Sequence, residues 1–198
     1  MNKYFIVLLT FLFLEYKSQS QIIDILEDDG YHLTDAYYKD VNNLLDPYAG
    51  TWIYINGNRS IKLILTKKIK HYNTKYYEDV IIGGVEYKQN NVTIVNTMSE
   101  INNNYVNSMR YPIAGNALFN KNFYPKCPEC GPNELRLRLS YEEPGKANSG
   151  RMVLRKITVN GQEALKMELI AGSIMYEYGT TPPEGFKLPV GNYIFIKQ

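Results

Sequence analysis

Cys127-Pro-Glu-Cys130 is the densest chemistry in the sequence, and its spacing admits three uses. A thioredoxin-like dithiol needs its first Cys at a helix N-terminus, where the dipole lowers the thiol pKa. Here Gly131-Pro132 follows directly, which blocks the helix such a site stands on. A closed structural zinc site needs four ligands, and the chain offers only His32 and His71 beside the two thiols. The third use, a local disulfide, asks only for an oxidising compartment. Closing so short a loop would stabilise by at most about 2 kcal/mol in the chain-entropy model. The disulfide is the favoured reading.

The other reactive residues are scattered. Lys67-Lys68-Ile69-Lys70-His71, with Lys75 beyond, sits beside Tyr72, Tyr76 and Tyr77. Basic residues interleaved with aromatics can hold a single strand by stacking. The whole chain, however, has 22 Lys and Arg against 20 Asp and Glu, a net charge of +2. Nucleic-acid binders show a clustered basic excess, so no nucleic-acid partner is expected. The run reads instead as a guard on a strand edge. Asp28-Asp29 and Glu142-Glu143 are adjacent pairs, and neighbours on a strand point to opposite faces. Neither pair therefore flanks one substrate bond in the manner of a glycosidase. His32 and His71 read as surface residues rather than bases. No Gly-x-Ser-x-Gly elbow and no glycine-rich phosphate loop running into a helix occurs. The sequence offers no catalytic residue, no cofactor site and no metal site, and nothing in it argues for an enzyme.

What positions these residues is a chain of 198 residues, 44% apolar and 21% charged, the size of one domain with a sizeable core. Residues 1–20 have the layout of a secretory signal peptide. Lys3 supplies the positive end, Tyr4 to Leu14 the apolar run, and Ser18-Gln19-Ser20 the small residues before cleavage. Eleven apolar residues are too few to cross a bilayer, which takes about 20. A mature chain beginning at Gln21, with no transmembrane segment, is the expectation. Residues 21–46 read as an N-terminal extension, in which Asp40 caps a helical turn or two that Pro47 stops. Residues 47–198 read as one β domain.

Within that domain the period is two. Leu135, Leu137, Leu139 and Tyr141 alternate with Arg136, Arg138 and Ser140. Asn56-Gly57 and Asn160-Gly161 each separate two alternating runs, the strongest short-range hairpin signal. Pro144-Gly145 closes another hairpin, Gly83-Gly84 reads as a turn or bulge between two strands, and Met109–Gly131 reads as loop-rich. The 18 Tyr suit half-buried pleated surfaces. The fold class is all-β, an antiparallel meander of eight or nine strands closed into a barrel, with a β-sandwich as the alternative. The inward set is Ile61, Leu63, Leu135, Leu137, Leu139, Met152, Leu154, Leu165, Met167 and Leu169.

Two resemblances follow from particular residues. Leu44 to Trp52, with Gly50-Thr51-Trp52, resembles the entry to a lipocalin-type or fatty-acid-binding-type (calycin) barrel, where a helical turn precedes Gly-x-Trp and the Trp plugs the closed end. Those families also pack an Arg on that Trp; no Arg follows Arg155, and Lys197 is the available substitute. The resemblance implies a barrel with Gly50 and Trp52 as its structural plug. Asp46–Gly57, Tyr76–Gly83 and the ending Gly185–Pro189 to Gln198 resemble an uncharacterised exported family of Gram-negative bacteria, domain-of-unknown-function family 6705. That resemblance implies a periplasmic or extracellular protein and carries no activity. Two functions stay open: a carrier of a small apolar or aromatic ligand inside the barrel, and a non-enzymatic envelope or extracellular interaction module with a filled core and an unknown protein partner.

Overall fold

A computed structural model describes residues 20–198 of the protein. The signal-peptide reading falls on residues 1–20 and so lies, all but Ser20, outside the described residues. Eleven strands are present: β1 (Ile22–Asp24), β2 (Tyr37–Lys39), β3 (Gly50–Asn56), β4 (Arg59–Asn73), β5 (Tyr76–Gln89), β6 (Val92–Asn96), β7 (Ile113–Phe119), β8 (Arg136–Glu142), β9 (Ser149–Val159), β10 (Gln162–Ala171) and β11 (Gly191–Lys197). The described helices are 3-10 turns of three to five residues.

Eight strands close an antiparallel ring in the order β5-β4-β3-β11-β10-β9-β8-β7, returning to β5. Strand β5 carries three partners in succession along its other edge. Parallel β2 pairs Tyr37 with Tyr77 and Tyr38 with Glu78, β7 pairs Gly115, Ala114 and Ile113 with Ile81, Ile82 and Gly83, and β6 pairs with Glu86 to Gln89. The ring has two short seams, that β5–β7 contact and the β3–β11 contact of Ile53 with Ile196 and Trp52 with Lys197.

Alternation places the core. Ile61, Leu63 and Leu65 of β4, Leu137, Leu139 and Tyr141 of β8, Met152 and Leu154 of β9, and Leu165, Met167 and Leu169 of β10 share one buried cluster. Of the expected inward set only Leu135 stands outside it, half-buried just before β8. Asn160 and Gly161 are the two positive-φ residues of the β9–β10 turn, at φ 50 and 79, as a type I′ turn requires.

The expected closed antiparallel barrel is present, with β1, β2 and β6 added outside its eight-strand ring. Four expectations are corrected. Gly83 and Gly84 do not divide two strands; they sit inside β5. A Cβ on Gly83 would come within 2.5 Å of the Ile64 carbonyl oxygen, and one on Gly84 within 2.8 Å of that of Thr97, so the glycines allow close packing rather than a turn. The β3–β4 loop is Gly57-Asn58, with positive φ at Gly57 alone, the II′ pattern, one residue later than the Asn56-Gly57 reading. Residues 40–45 form no helix; the 3-10 turn is Asp46–Tyr48 and contains Pro47. Met109–Gly131, read as loop, contains β7, the strand that closes the ring. Its register shifts between Ala114 and Ala117 around Gly115, and this bulge erases the two-residue period.

Candidate functional site

The Cys127–Cys130 turn lies in the β7–β8 connection. The two sulfurs are at disulfide distance, the Cα atoms are 5.3 Å apart, and both residues are buried. No helix follows them, and the histidines contact other groups, His32 meeting Asp28, Tyr38 and Tyr76 and His71 meeting Tyr111. Among the described residues no group of three or more His, Cys, Asp or Glu is placed to hold a metal. A buried cation organises the loop from below. Arg136 donates from Nη1 to the Pro125 carbonyl (2.7 Å) and from Nη2 to those of Asn120 and Phe123 (both 3.1 Å). Its guanidinium lies 4.7 Å from the Phe119 ring centre, and burial pulls its pKa below the ordinary arginine value. From the same outer face, Arg155 donates to both oxygens of Glu134 (2.6 and 3.0 Å) and Lys166 to Glu129 (2.8 Å), strapping the loop onto the outer wall of β9 and β10.

The end of the ring near Gly50 is crossed by residues 44–49. Trp52 is 1% exposed, its Nε1 donates to the Tyr48 carbonyl (2.9 Å), and Lys197 Nζ stands 5.3 Å from its ring centre. Tyr48, equally buried, reaches the Leu135 carbonyl with its hydroxyl (3.2 Å). Gly50 has φ 138, and a Cβ there would meet Lys197 Cε at 3.3 Å.

Sequence reasoning missed a carboxylate pair beside this end. Asp79 is 2% exposed and accepts from the Tyr37 hydroxyl (2.6 Å), the Lys70 amide (2.8 Å) and the Asp40 amide (3.0 Å). Asp40, as deeply buried, accepts from the Leu44 and Leu45 amides (2.7 and 2.9 Å) and from Lys67 Nζ (2.8 Å). Lys67 also pairs with Asp46 at 2.5 Å. Burial alone would lower the Lys67 pKa; hydrogen bonds to Asp40 and Asp46 outweigh it and hold the ammonium above its ordinary value. Lys67 is thus an anchor for the N-terminal segment, not the edge guard expected of the basic run. No local signal marks these residues, because each partner lies on a different element.

Glu78 is the third buried acid. Ser108 and Asn73 donate to it (2.6 and 2.9 Å), and the Asn116 amide reaches its other oxygen at 3.3 Å. Burial still raises its pKa above the ordinary carboxylate value, since those partners are neutral. The unfolded chain then releases this proton at lower pH than the folded one. Stability contributed by Glu78 is therefore full below the ordinary carboxylate range and is lost as pH rises through the raised value. Melting curves at pH 4 and pH 7 should show Glu78→Gln gaining on the wild type as pH rises; a variant that loses ground to the wild type between those pH values contradicts this. The remaining sequence candidates are dispersed. His32 bonds Asp28 (3.0 Å) and stacks on Tyr76 at 4.0 Å, while His71 Nε2 is enclosed without a partner. Asp28 and Asp29 close local turns, and Glu143 accepts from the Lys187 amide and the Tyr141 hydroxyl.

The larger concavities lie on the outer wall of the ring, not inside it. One groove of about 610 Å³ crosses β7–β10 and is lined by Arg138, Arg151, Ser140 and Ser149 over a floor of small residues. A second of about 610 Å³ adjoins it between residues 100–112 and the β8–β9 loop, sharing Met109 and Ser149. No helix among the described residues is long and apolar enough to cross a membrane.

Comparison with curated proteins and with solved structures finds no match to this chain. Residues 1–198 match the model of a family of unknown function, DUF6705, and the chain belongs to that family.

Proposed function

We propose that the mature chain starts at Gln21, is exported, and acts as a non-enzymatic envelope or extracellular interaction module through its outer surface. The observation that carries this is the state of the barrel interior. Leu63, Ile81, Leu139, Leu154, Met167 and Phe195, one from each of six ring strands, are all 0% exposed. No void large enough for water adjoins them. An eight-stranded ring is just wide enough either to fill with side chains or to hold one small ligand, and bulky aliphatic residues favour the first. This supports the module over the carrier of a small apolar ligand. The Met1–Ser20 pattern and the Cys127–Cys130 pair at disulfide distance support export.

Protein recovered from the periplasm or medium of its own host provides the test, by intact and native mass spectrometry with thiol labelling. The expected result is a chain beginning at Gln21, no thiol labelled before reduction, and no small molecule released on denaturation. Retained residues 1–20 or two free thiols would sink the export reading. A stoichiometric apolar molecule would restore the carrier.

A further inference from the structure

We propose that the groove over β7–β10 binds an extended acidic peptide segment of a partner protein, with Arg138 and Arg151 taking two of its carboxylates. The proposal rests on the reading that the outer surface is the working part, and names the chemistry of what it binds.

Charge makes the groove distinctive. Arg138 and Arg151 make no ion pair and no hydrogen bond among the described residues, whereas Arg155, Lys67, Lys146, Lys166 and Lys197 are each matched to a carboxylate. None of the residues lining this groove is acidic. Glu142 lies in the adjoining groove, one diagonal step from Arg151 on the hairpin-loop side.

Register sets the spacing. Arg138 pairs with Val153 and Ser140 with Arg151, so the two arginines are diagonal neighbours on the outer face. Such neighbours stand about 7–8 Å apart. An extended chain puts side chains i and i+2 on one face roughly 6.8 Å apart. Two carboxylates of an alternating acidic segment thus meet two guanidinium forks, each suited to bidentate pairing.

The floor suits a peptide backbone. Ala114 and Ala117 project only a methyl group, and Ile170, the cross-strand partner of Arg151, and Met109 flank them, which lets a chain lie close. The Ser140 and Ser149 hydroxyls have no internal partner among the described residues and face that chain as donors and acceptors. No aromatic side chain lines the groove, so it lacks the stacking platform that bases need.

The test uses fluorescence anisotropy at low salt with the mature chain. One probe is a labelled decapeptide of alternating Glu and Ser; a second holds its Glu only as adjacent pairs separated by three Ser; the third is tripolyphosphate as competitor. The alternating peptide is expected to bind, Arg138→Gln and Arg151→Gln to weaken it about tenfold each, and Glu142→Gln to tighten it. Arg59→Gln, an exposed arginine on β4, should leave binding unchanged. All four positions are exposed, and unchanged melting of each variant confirms the fold. Absence of binding, equal binding by the double arginine variant, or equal affinity for the paired peptide or tripolyphosphate overturns the proposal. Failure here with an empty barrel leaves the surface-module reading standing; an apolar molecule in the barrel sinks that reading whatever the arginines do.

Discussion

Trp52→Ala is expected to lower the unfolding free energy by about 3–5 kcal/mol, the range for deleting a fully buried Trp. Three separate contributions vanish together. The indole fills the end of the ring between Leu63 and Lys197, its cross-strand neighbours. Its Nε1–H satisfies the Tyr48 carbonyl, which becomes a buried acceptor without a donor. The cation above its ring loses its aromatic face. Urea unfolding followed by circular dichroism measures the loss. Trp52→Phe, which keeps a ring but not the donor, should fall between. Trp52 is the sole tryptophan, so wild-type fluorescence reports this position alone, and its emission should be that of an indole shielded from water. A cost below about 1.5 kcal/mol would mean the plug is redundant with Tyr48 and Leu45.

Asp79→Ala should cost a similar amount, about 3–5 kcal/mol, by a different route. No large cavity forms, but three donors lose their acceptor inside the protein: the Tyr37 hydroxyl and the Lys70 and Asp40 amides. Each buried donor left alone costs about 1–3 kcal/mol. One of the three holds geometry that the chain does not adopt freely. Lys70 sits at φ 51 in the β4 bulge, a region non-glycine residues rarely occupy. Asp40 in turn supports Leu44, Leu45 and Lys67. Tyr37 carries a signature of the same contact, since burial and then the Asp79 carboxylate push its phenol above the ordinary value. Asp79→Asn, which retains one carbonyl acceptor, should cost less than Asp79→Ala. Amide exchange at Lys70 and Asp40 should accelerate in both variants; unchanged exchange would show that the carboxylate does not hold them.

The strands with a clean two-residue period were legible from sequence because each buries one face against the same core. Leu137, Leu139 and Tyr141 needed no tertiary information, nor did the Asn160-Gly161 turn, whose φ values only such residues adopt readily. What stayed hidden depends on register between distant segments. Strand β7 lost its period to the bulge at Gly115. Strands β1 and β2 are three residues each, β2 held by β5 and β1 by β2 rather than by their own pattern. The outward position of Arg138 followed from alternation, but its place beside Arg151 required the β8–β9 register. Asp40, Lys67 and Asp79 come from three elements, and nothing local in any of them marks a buried charge. Cys127 and Cys130 were legible as a pair because the sequence itself brings them together.

The two short seams divide the ring into a three-strand sheet, β3–β5, and a five-strand sheet, β7–β11, each a run of consecutive segments. Most of the ladder inside each sheet joins near neighbours in sequence. The β3–β11 seam instead joins Trp52 and Ile53 to Lys197 and Ile196, at opposite ends of the domain. Loop-closure entropy must be met before such a contact gives anything back, although the cost grows only slowly with length. The order of assembly follows: two meanders zip locally, and the barrel becomes a barrel only when its first and last strands meet. A ribosome-bound chain still lacking Gly191–Lys197 has no means of making that contact. Closure of this protein is therefore an event that waits until Gly191–Lys197 has been made.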